Sequence, residues 1–296
     1  MVERDERWRR AHRRSFDLEE HGDVLTAILD EVREASDLTQ KELAQIMRSH
    51  TLPNGDMLSK DRIINGYREL CRRENRSPDP TIVRRLRVKP TRTISGVAPV
   101  AVLTEPFPCP GKCIFCPEPT GMPKSYLPDE PGAMRAATHR FDPYDQTASR
   151  IATLREIGHS VDKIELLILG GSWSAYPEGY QTWFVRRCLD AMNGVEADSL
   201  EEAQRLNESA KRRNVGLVIE TRPDLITLEE VRRLRWLGVT KVQLGVQSLN
   251  DEILALNKRG HTVADTRRAM RLLRLGGFKI VVHWMPNLLG ATPESD

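Results

Sequence analysis

The chain has 296 residues, of which 39% are apolar and 29% charged, with a formal net charge of +3. That length holds one large domain and a small one. No apolar run reaches the ~18 residues of a membrane span, and the charged opening MVERDERWRRAHRRSFDLEE argues against a targeting peptide, so a cytoplasmic protein with no membrane association is expected.

Residues from about 17 to 75 read as helices. Leu25, Ile28, Leu29 and Val32 recur at helical spacing. Thr39 to Glu42 form a capping box, followed on one face by Leu43 and Ile46. Pro53, Asn54 and Gly55 mark a turn. Ser59 then caps a helix carrying Ile63, Ile64, Tyr67 and Leu70. The run Ser77-Pro78-Asp79-Pro80 breaks the pattern, and the domain boundary is expected near Pro90, giving a helical basic region over 1–90 and a second domain over 91–296. The charge excess lies in the first part. To residue 92 there are 20 Lys and Arg against 17 Asp and Glu, and beyond it 25 against 25. Two basic clusters stand out. One is Arg9, Arg10, Arg13 and Arg14 on a predicted helix. The other is Arg72, Arg73, Arg76, Arg84, Arg85, Arg87, Lys89 and Arg92. Charge runs are usually solvated faces; against a polyanion they would neutralise phosphates.

Beyond Pro90 strands and helices alternate. Apolar runs at Val97–Leu103, 164–169, 215–219, 242–246 and 280–284 are predicted strands. Helical stretches are predicted at 147–154, 183–192, 200–213, 228–237 and 264–275. This alternation predicts an α/β fold with a parallel sheet, a partial TIM-type (β/α) barrel whose site gathers at the C-terminal strand ends. Polar groups follow each run: the cysteine loop, Gly170-Gly171-Ser172, Glu220-Thr221, Gln247-Ser248 and Met285-Pro286-Asn287.

The cysteine loop is PFPCPGKCIFCPEP, with Cys109, Cys113 and Cys116 spaced C-x3-C-x2-C. Soft thiolates select iron–sulfur or zinc sites. Three thiolates on one tight loop hold three irons of a [4Fe-4S] cluster and leave the fourth open to the amino and carboxylate groups of S-adenosylmethionine. A zinc knuckle would close with a fourth Cys or His in a second pair, whereas Cys71 and Cys188 stand alone and no His lies within the triplet. An odd cysteine count without a secretory signal argues against disulfides. The spacing, with Phe115 before the last cysteine, resembles the radical S-adenosylmethionine superfamily.

Within that superfamily the chain resembles the Elongator catalytic-subunit family in its stand-alone bacterial or archaeal form. The matching stretches are RTISGVAPVAVLTEPFPCPGKCIFCP, PGAMRAATHRFDPYDQ, REIGHSVDKIELLILGGSW, VIETRPD, LGVQSLND, NKRGHTV and GGFKIVVHWMPNL, from about Arg92 onward. Many members have a longer gap with a histidine between the first two cysteines, and Gly-Gly after Cys-Pro; here the gap reads Pro-Gly-Lys and Glu118-Pro119 follows. The resemblance implies a tRNA-modifying transferase of the acyltransferase class, acting at carbon 5 of the wobble uridine, with an electron donor and with acetyl-CoA as co-substrate. It implies that the deoxyadenosyl radical takes hydrogen from the acetyl methyl group, that the carbon radical adds to the uridine, and that hydrolysis releases CoA. It also implies a C-terminal acetyltransferase-like domain, absent from this chain, which reads as truncated after its fifth strand and not fully active alone.

Residue roles follow from the same resemblance. Cys109, Cys113 and Cys116 ligate the cluster, and Phe115 lies against the adenine or serves ordinary packing. Gly170, Gly171 and Ser172 resemble the glycine motif that meets the methionyl amino group, Gly letting backbone approach a ligand closely; the plain alternative is a turn-forming Gly-Gly. Glu220, Gln247 and Arg259 resemble the cofactor-holding trio of the coproporphyrinogen oxidase branch. The plain alternatives are an ion pair of Glu220 with Arg222 and a solvated Arg259 beside Lys258. Lys163 resembles a lysine that contacts acetyl-CoA; otherwise it is a surface lysine starting a strand. His283 and Trp284 face the substrate pocket or the core. Tyr126, Met134 and Arg135 lie in a long segment that could cover the site, without assigned chemistry. With tRNA as partner, Arg9, Arg10, Arg13, Arg14, Arg72, Arg73, Arg84, Arg85 and Arg87 become phosphate contacts, and access to the uridine implies base flipping. Two other readings remain: another radical enzyme of the coproporphyrinogen oxidase-like branch, and a metal-stabilised RNA-binding scaffold.

Overall fold

The structure is a computed structural model that describes residues 16–296. Arg9, Arg10, Arg13 and Arg14 lie outside the described residues. The chain divides into two compact units. One runs to Ser95 and takes in Ala152–Ser160; the other comprises Gly96–Ile151 and Val161–Asp296.

The first unit contains helices α1 (Leu18–Glu34), α2 (Gln40–Ser49), α3 (Lys60–Arg73) and α4 (Pro80–Leu86). Leu25, Ile28, Leu29 and Val32 form the buried stripe of α1, in one cluster with Ile63, Ile64 and Tyr67 of α3. The Thr39 capping box is present: Glu42 N donates to Thr39 Oγ1 and Thr39 N to Glu42 Oε2. Ser59 stands at the N-cap of α3 but makes no side-chain bond there. The Tyr67 hydroxyl accepts from Asp79 N at 2.9 Å, which pins the proline-rich turn before α4.

The second unit is built on five strands, β1 (Ala98–Leu103), β2 (Lys163–Leu169), β3 (Arg213–Thr221), β4 (Lys241–Gln247) and β5 (Lys279–Trp284). All pair in parallel and in sequence order, in the partial TIM-barrel arrangement expected. Helices α5 (Pro131–Thr138), α6 (Pro143–Glu156), α7 (Glu178–Asn193), α8 (Leu200–Asn207), α9 (Leu228–Trp236), α10 (Asp251–Leu256) and α11 (Val263–Leu275) complete the elements. β1, β2 and β3 carry near-continuous apolar runs, as strands covered on both faces do, whereas β4 alternates, with Val242, Leu244 and Val246 buried and Gln243 and Gln247 half-buried. β5 is an edge strand, with Val281, Val282 and Trp284 more than a third exposed. The register pairs Leu103 with Leu169, Thr221 with Leu244 and Gln247 with Trp284, so the strand ends come to one side of the sheet.

Three local expectations are corrected. The helix expected over 200–213 stops at Asn207. Its side chain donates to Arg212 O at 3.1 Å and accepts from Asn214 N at 2.7 Å, closing a turn that leads directly into β3. Helix α5, started by Pro131 at its first turn, lies within the segment expected to be a long loop. Helix α10, capped by Asn250, follows β4 and was also missed. Among the described residues no helix is long and apolar enough to cross a membrane.

Candidate active site

The strand ends feed a cavity of about 520 Å³. β1 enters it on a fixed end: Gln146, itself buried, accepts from Leu103 N and donates to Leu103 O, both at 2.9 Å. The cysteine loop follows. Ile114 N donates to Asn257 O at 3.2 Å, and Lys124 Nζ donates to Gly111 O at 3.2 Å. Cys109, Cys113 and Cys116 all line the cavity, with Phe115 beside them. Gly170, Gly171 and Ser172 from the end of β2 line it too, as do Glu220 from β3, Gln247 from β4, and Arg259. His283 and Trp284 from β5 complete the set.

The cysteines are free thiols. Burial pushes the Cys116 thiol up, against a hydrogen bond with Ser125 Oγ at 2.9 Å. Cys109 Sγ accepts from Gly111 N at 3.4 Å and lies 3.7 Å from Ser172 Oγ. Among the described residues no three His, Cys, Asp or Glu side chains converge on one ion position.

Glu220 and Gln247 at two strand ends, with Arg259 from the segment between α10 and α11, have the polarity a small zwitterionic ligand needs. Burial raises the Glu220 carboxyl, opposed by the hydrogen bond from Tyr126 and by His283. Burial likewise raises Tyr126. Glu220 does not pair with Arg222; Arg222 forks onto Asp224 at 3.0 and 3.1 Å. Gln247 adopts φ 70°, beside a register shift that follows Gly245. Its Oε1 is buried without a partner, as is Arg259 Nε. Buried polar atoms are normally paired, so these two orphans in one cavity fit a ligand in it. Arg259 is only 8% exposed, not a solvated charge beside Lys258. It donates to Gly245 O at 2.6 Å and to Cys113 Sγ at 3.3 Å. Burial beside Arg259 and Arg222 pushes His261 down to about 4, so it is neutral at pH 7.

The glycine pair acquires a packing reason. Gly170 has φ +137°, and a Cβ there would overlap Thr104 Oγ1. A Cβ at Gly171 would meet the Tyr176 hydroxyl at 3.1 Å. Their lack of side chains thus serves strand-end packing as well as any ligand. Lys163 is not brought to this place: it is exposed at the N-terminal start of β2, the opposite end from Gly170. Met134 is exposed on α5 and Arg135 is on the same helix; neither lines the cavity. The lining residues Lys124, Arg222 and Gly245 were not found from sequence. Only the position of Arg222, two residues beyond Glu220 in VIETRPD, carried a signal.

The basic residues of the first unit divide. Arg85 donates to Val32 O at 2.5 Å and Ser36 O at 3.1 Å, covering carbonyls at the C-terminus of α1. Arg87 Nε donates to Gly158 O at 3.1 Å. Arg72 and Arg73 are exposed on α3 near Glu69, and Arg84 is exposed on α4.

A three-cysteine loop at the mouth of a parallel sheet, with cofactor-type polar groups on the following strand ends, defines a radical S-adenosylmethionine enzyme core. The Radical SAM superfamily profile matches residues 108–295, and the chain belongs to that superfamily. It is 45% identical over 283 residues to the tRNA uridine(34) acetyltransferase of Methanocaldococcus jannaschii, covering 92% of this chain and 51% of that protein. It is 38% identical over 229 residues to Elongator complex protein 3 of Danio rerio, covering 73% and 41%. The solved structure of Methanocaldococcus infernus Elp3 with an N-terminal deletion aligns with TM-score 0.56 and 45% identity, over 68% of this chain and 40% of that one. The chain spans about half the length of the curated relatives it matches.

Proposed function

We propose that this chain is the cofactor-binding and RNA-binding part of an enzyme that modifies carbon 5 of the wobble uridine of tRNA, building a carboxymethyl-type group with acetyl-CoA as the second substrate. The relatives that are tRNA uridine(34) acetyltransferases support the tRNA substrate. The observation that carries the reading is that Cys109, Cys113, Cys116, Glu220, Gln247 and Arg259 line one cavity, although they come from four separate stretches of chain.

In this reading the three cysteines hold a [4Fe-4S] cluster. With S-adenosylmethionine bound, such a cluster would supply radical chemistry driven by one electron from an external donor. The chain's own groups orient the cofactor. Glu220 accepts from its amino group or ribose, Gln247 Oε1 takes a donor, and Arg259 meets the carboxylate. Phe115 packs on the adenine, and Gly170, Gly171 and Ser172 present backbone to the methionyl end. His283 and Trp284 face the base. Lys163 would contact acetyl-CoA away from this cavity. Residues 1–90 form the RNA-binding region, with Arg72, Arg73 and Arg84 exposed to meet phosphates.

The test is anaerobic reconstitution with iron and sulfide, followed by iron content and electron paramagnetic resonance with and without S-adenosylmethionine, alongside Cys113→Ala. Close to four irons is expected, with a reduced-cluster signal that S-adenosylmethionine alters only in the unmutated protein. Stoichiometric zinc without iron uptake would leave a metal-stabilised RNA-binding scaffold.

A further inference from the structure

Two guanidinium groups converge on one of the three thiols. Arg259 Nη1 lies 3.3 Å from Cys113 Sγ, and Arg222 Nη1 lies 3.9 Å from it. Among the described residues the hydrogen-bond partners of Cys109 and Cys116 are neutral, Gly111 N, Ser172 Oγ, Ser125 Oγ and Pro117 O, although the Lys124 charge also acts on Cys116. Arg222 is 3% exposed and held from two sides. Its Nε and Nη2 fork onto Asp224, and Nη2 also donates to Arg259 O at 2.7 Å. That leaves Nη1 to point at the thiol. The cysteine loop makes room for it, because a Cβ at Gly111 would run into Arg222 Nη1.

We propose that Arg222 is a positioning residue that fixes Cys113 and raises the reduction potential of the cluster which that thiolate would hold. This rests on the cluster reading above. A thiolate sulfur carries more negative charge when the cluster is reduced, so a hydrogen bond from a cation stabilises the reduced form more than the oxidised one. Burial keeps the interaction from being screened. Asp224 offsets part of the Arg222 charge, so the pair sets the field at Cys113 together. The cluster takes one electron from a low-potential one-electron donor, and no bond at Arg222 forms or breaks.

The two members of the pair predict opposite effects. The full chain, reconstituted anaerobically, would be titrated with dithionite while the reduced-cluster resonance is followed, beside Arg222→Gln and Asp224→Asn. Arg222→Gln should lower the ratio of reduced to oxidised cluster at fixed ambient potential roughly tenfold, about 59 mV for a one-electron couple. Asp224→Asn, at a carboxylate one quarter exposed, should shift the ratio the other way. A purely structural role would lower iron retention or melting temperature without opposite shifts. Potentials that stay fixed, or move in the same direction in both variants at full iron content, overturn the assignment. If Arg222→Gln does not fold, Asp224→Asn decides alone: an unmoved or lowered potential overturns it. An unmutated protein that takes up no iron overturns the cluster reading itself, and this assignment with it.

Discussion

The hydroxyl of Tyr126 donates to Glu220 Oε2 at 2.9 Å, joining the segment after the cysteine loop to the end of β3 across 94 residues. Glu220 carries a raised carboxyl pKa because it is buried. Its folded value lies above its unfolded value near 4.5. Glu220 therefore supports folding fully below that pH, and the support is lost as pH rises through the folded value. Tyr126→Phe removes a bond that opposes the rise, so the carboxylate is left less well satisfied at high pH. The expected outcome is a melting temperature about 3 °C lower at pH 8, roughly 1 kcal/mol, with the deficit shrinking below pH 5. Equal melting at pH 8 would show that the tie adds nothing.

Gly170→Ala meets two penalties together, a φ of +137° and overlap with Thr104 Oγ1. A loss of about 2 kcal/mol or more is expected in urea unfolding, backbone strain of this kind alone costing ~1–3 kcal/mol. Iron uptake should fall with it, since Gly170 and the cysteines line one cavity. Wild-type stability in the variant would place the glycine there for ligand approach alone.

Asn257 is buried and joins three segments. It donates to Ile253 O and Leu289 O, accepts from Leu289 N, and its carbonyl accepts from Ile114 N. Asn257→Leu keeps the backbone bond to the cysteine loop but strands the groups at Leu289. A loss of about 2 kcal/mol is expected. Hydrogen exchange at the Leu289 amide should quicken more than at Ile114; equal change at both sites would contradict the selective tie.

Arg84 and Arg85 are neighbours with different work. Arg84→Ala should weaken tRNA binding and lower the salt slope by about 1. Arg85→Ala should cost about 1 kcal/mol of stability by uncovering the carbonyls at the end of α1, and leave the salt slope unchanged. Filter binding over a salt series, beside urea melts, separates them. A reversed pattern would count against the proposed RNA surface at Arg84.

Cys71 and Cys188 are buried, and burial pushes the Cys188 thiol to about 12. Only thiolates alkylate readily. Iodoacetamide at pH 8 should label the three loop cysteines of the cluster-free folded chain and spare these two, as read by mass spectrometry. Labelling of Cys188 before unfolding would contradict the closed packing around it.

The strands were legible to within about two residues because a covered parallel strand is a compact apolar run. The cysteine triplet was legible because its spacing is local. Neighbouring helices were less so. Asn207 ended α8 through a bond to the next strand, which no propensity at that position announces. The partners of Glu220 and Arg222 were not legible for a related reason. Sequence proximity offers an ion pair between them only as the plain alternative, and the fold instead supplies Tyr126 to one and Asp224 to the other. Asn257, too, draws its importance from Ile114 and Leu289, far from it along the chain.

Each strand of the sheet pairs only with its neighbours in sequence. During synthesis, where domains form from the N-terminal side, the sheet can therefore grow in the order in which it is made. The cavity wall does not close by that rule. Its first members are the cysteines after β1, and its last are His283, Trp284 and Met285 at the end of β5. A chain halted between β4 and β5 already carries the three thiols, Glu220, Gln247 and Arg259, with one wall absent. Loading with metal before the last strand is added would meet an open trough, and loading afterwards a bounded chamber.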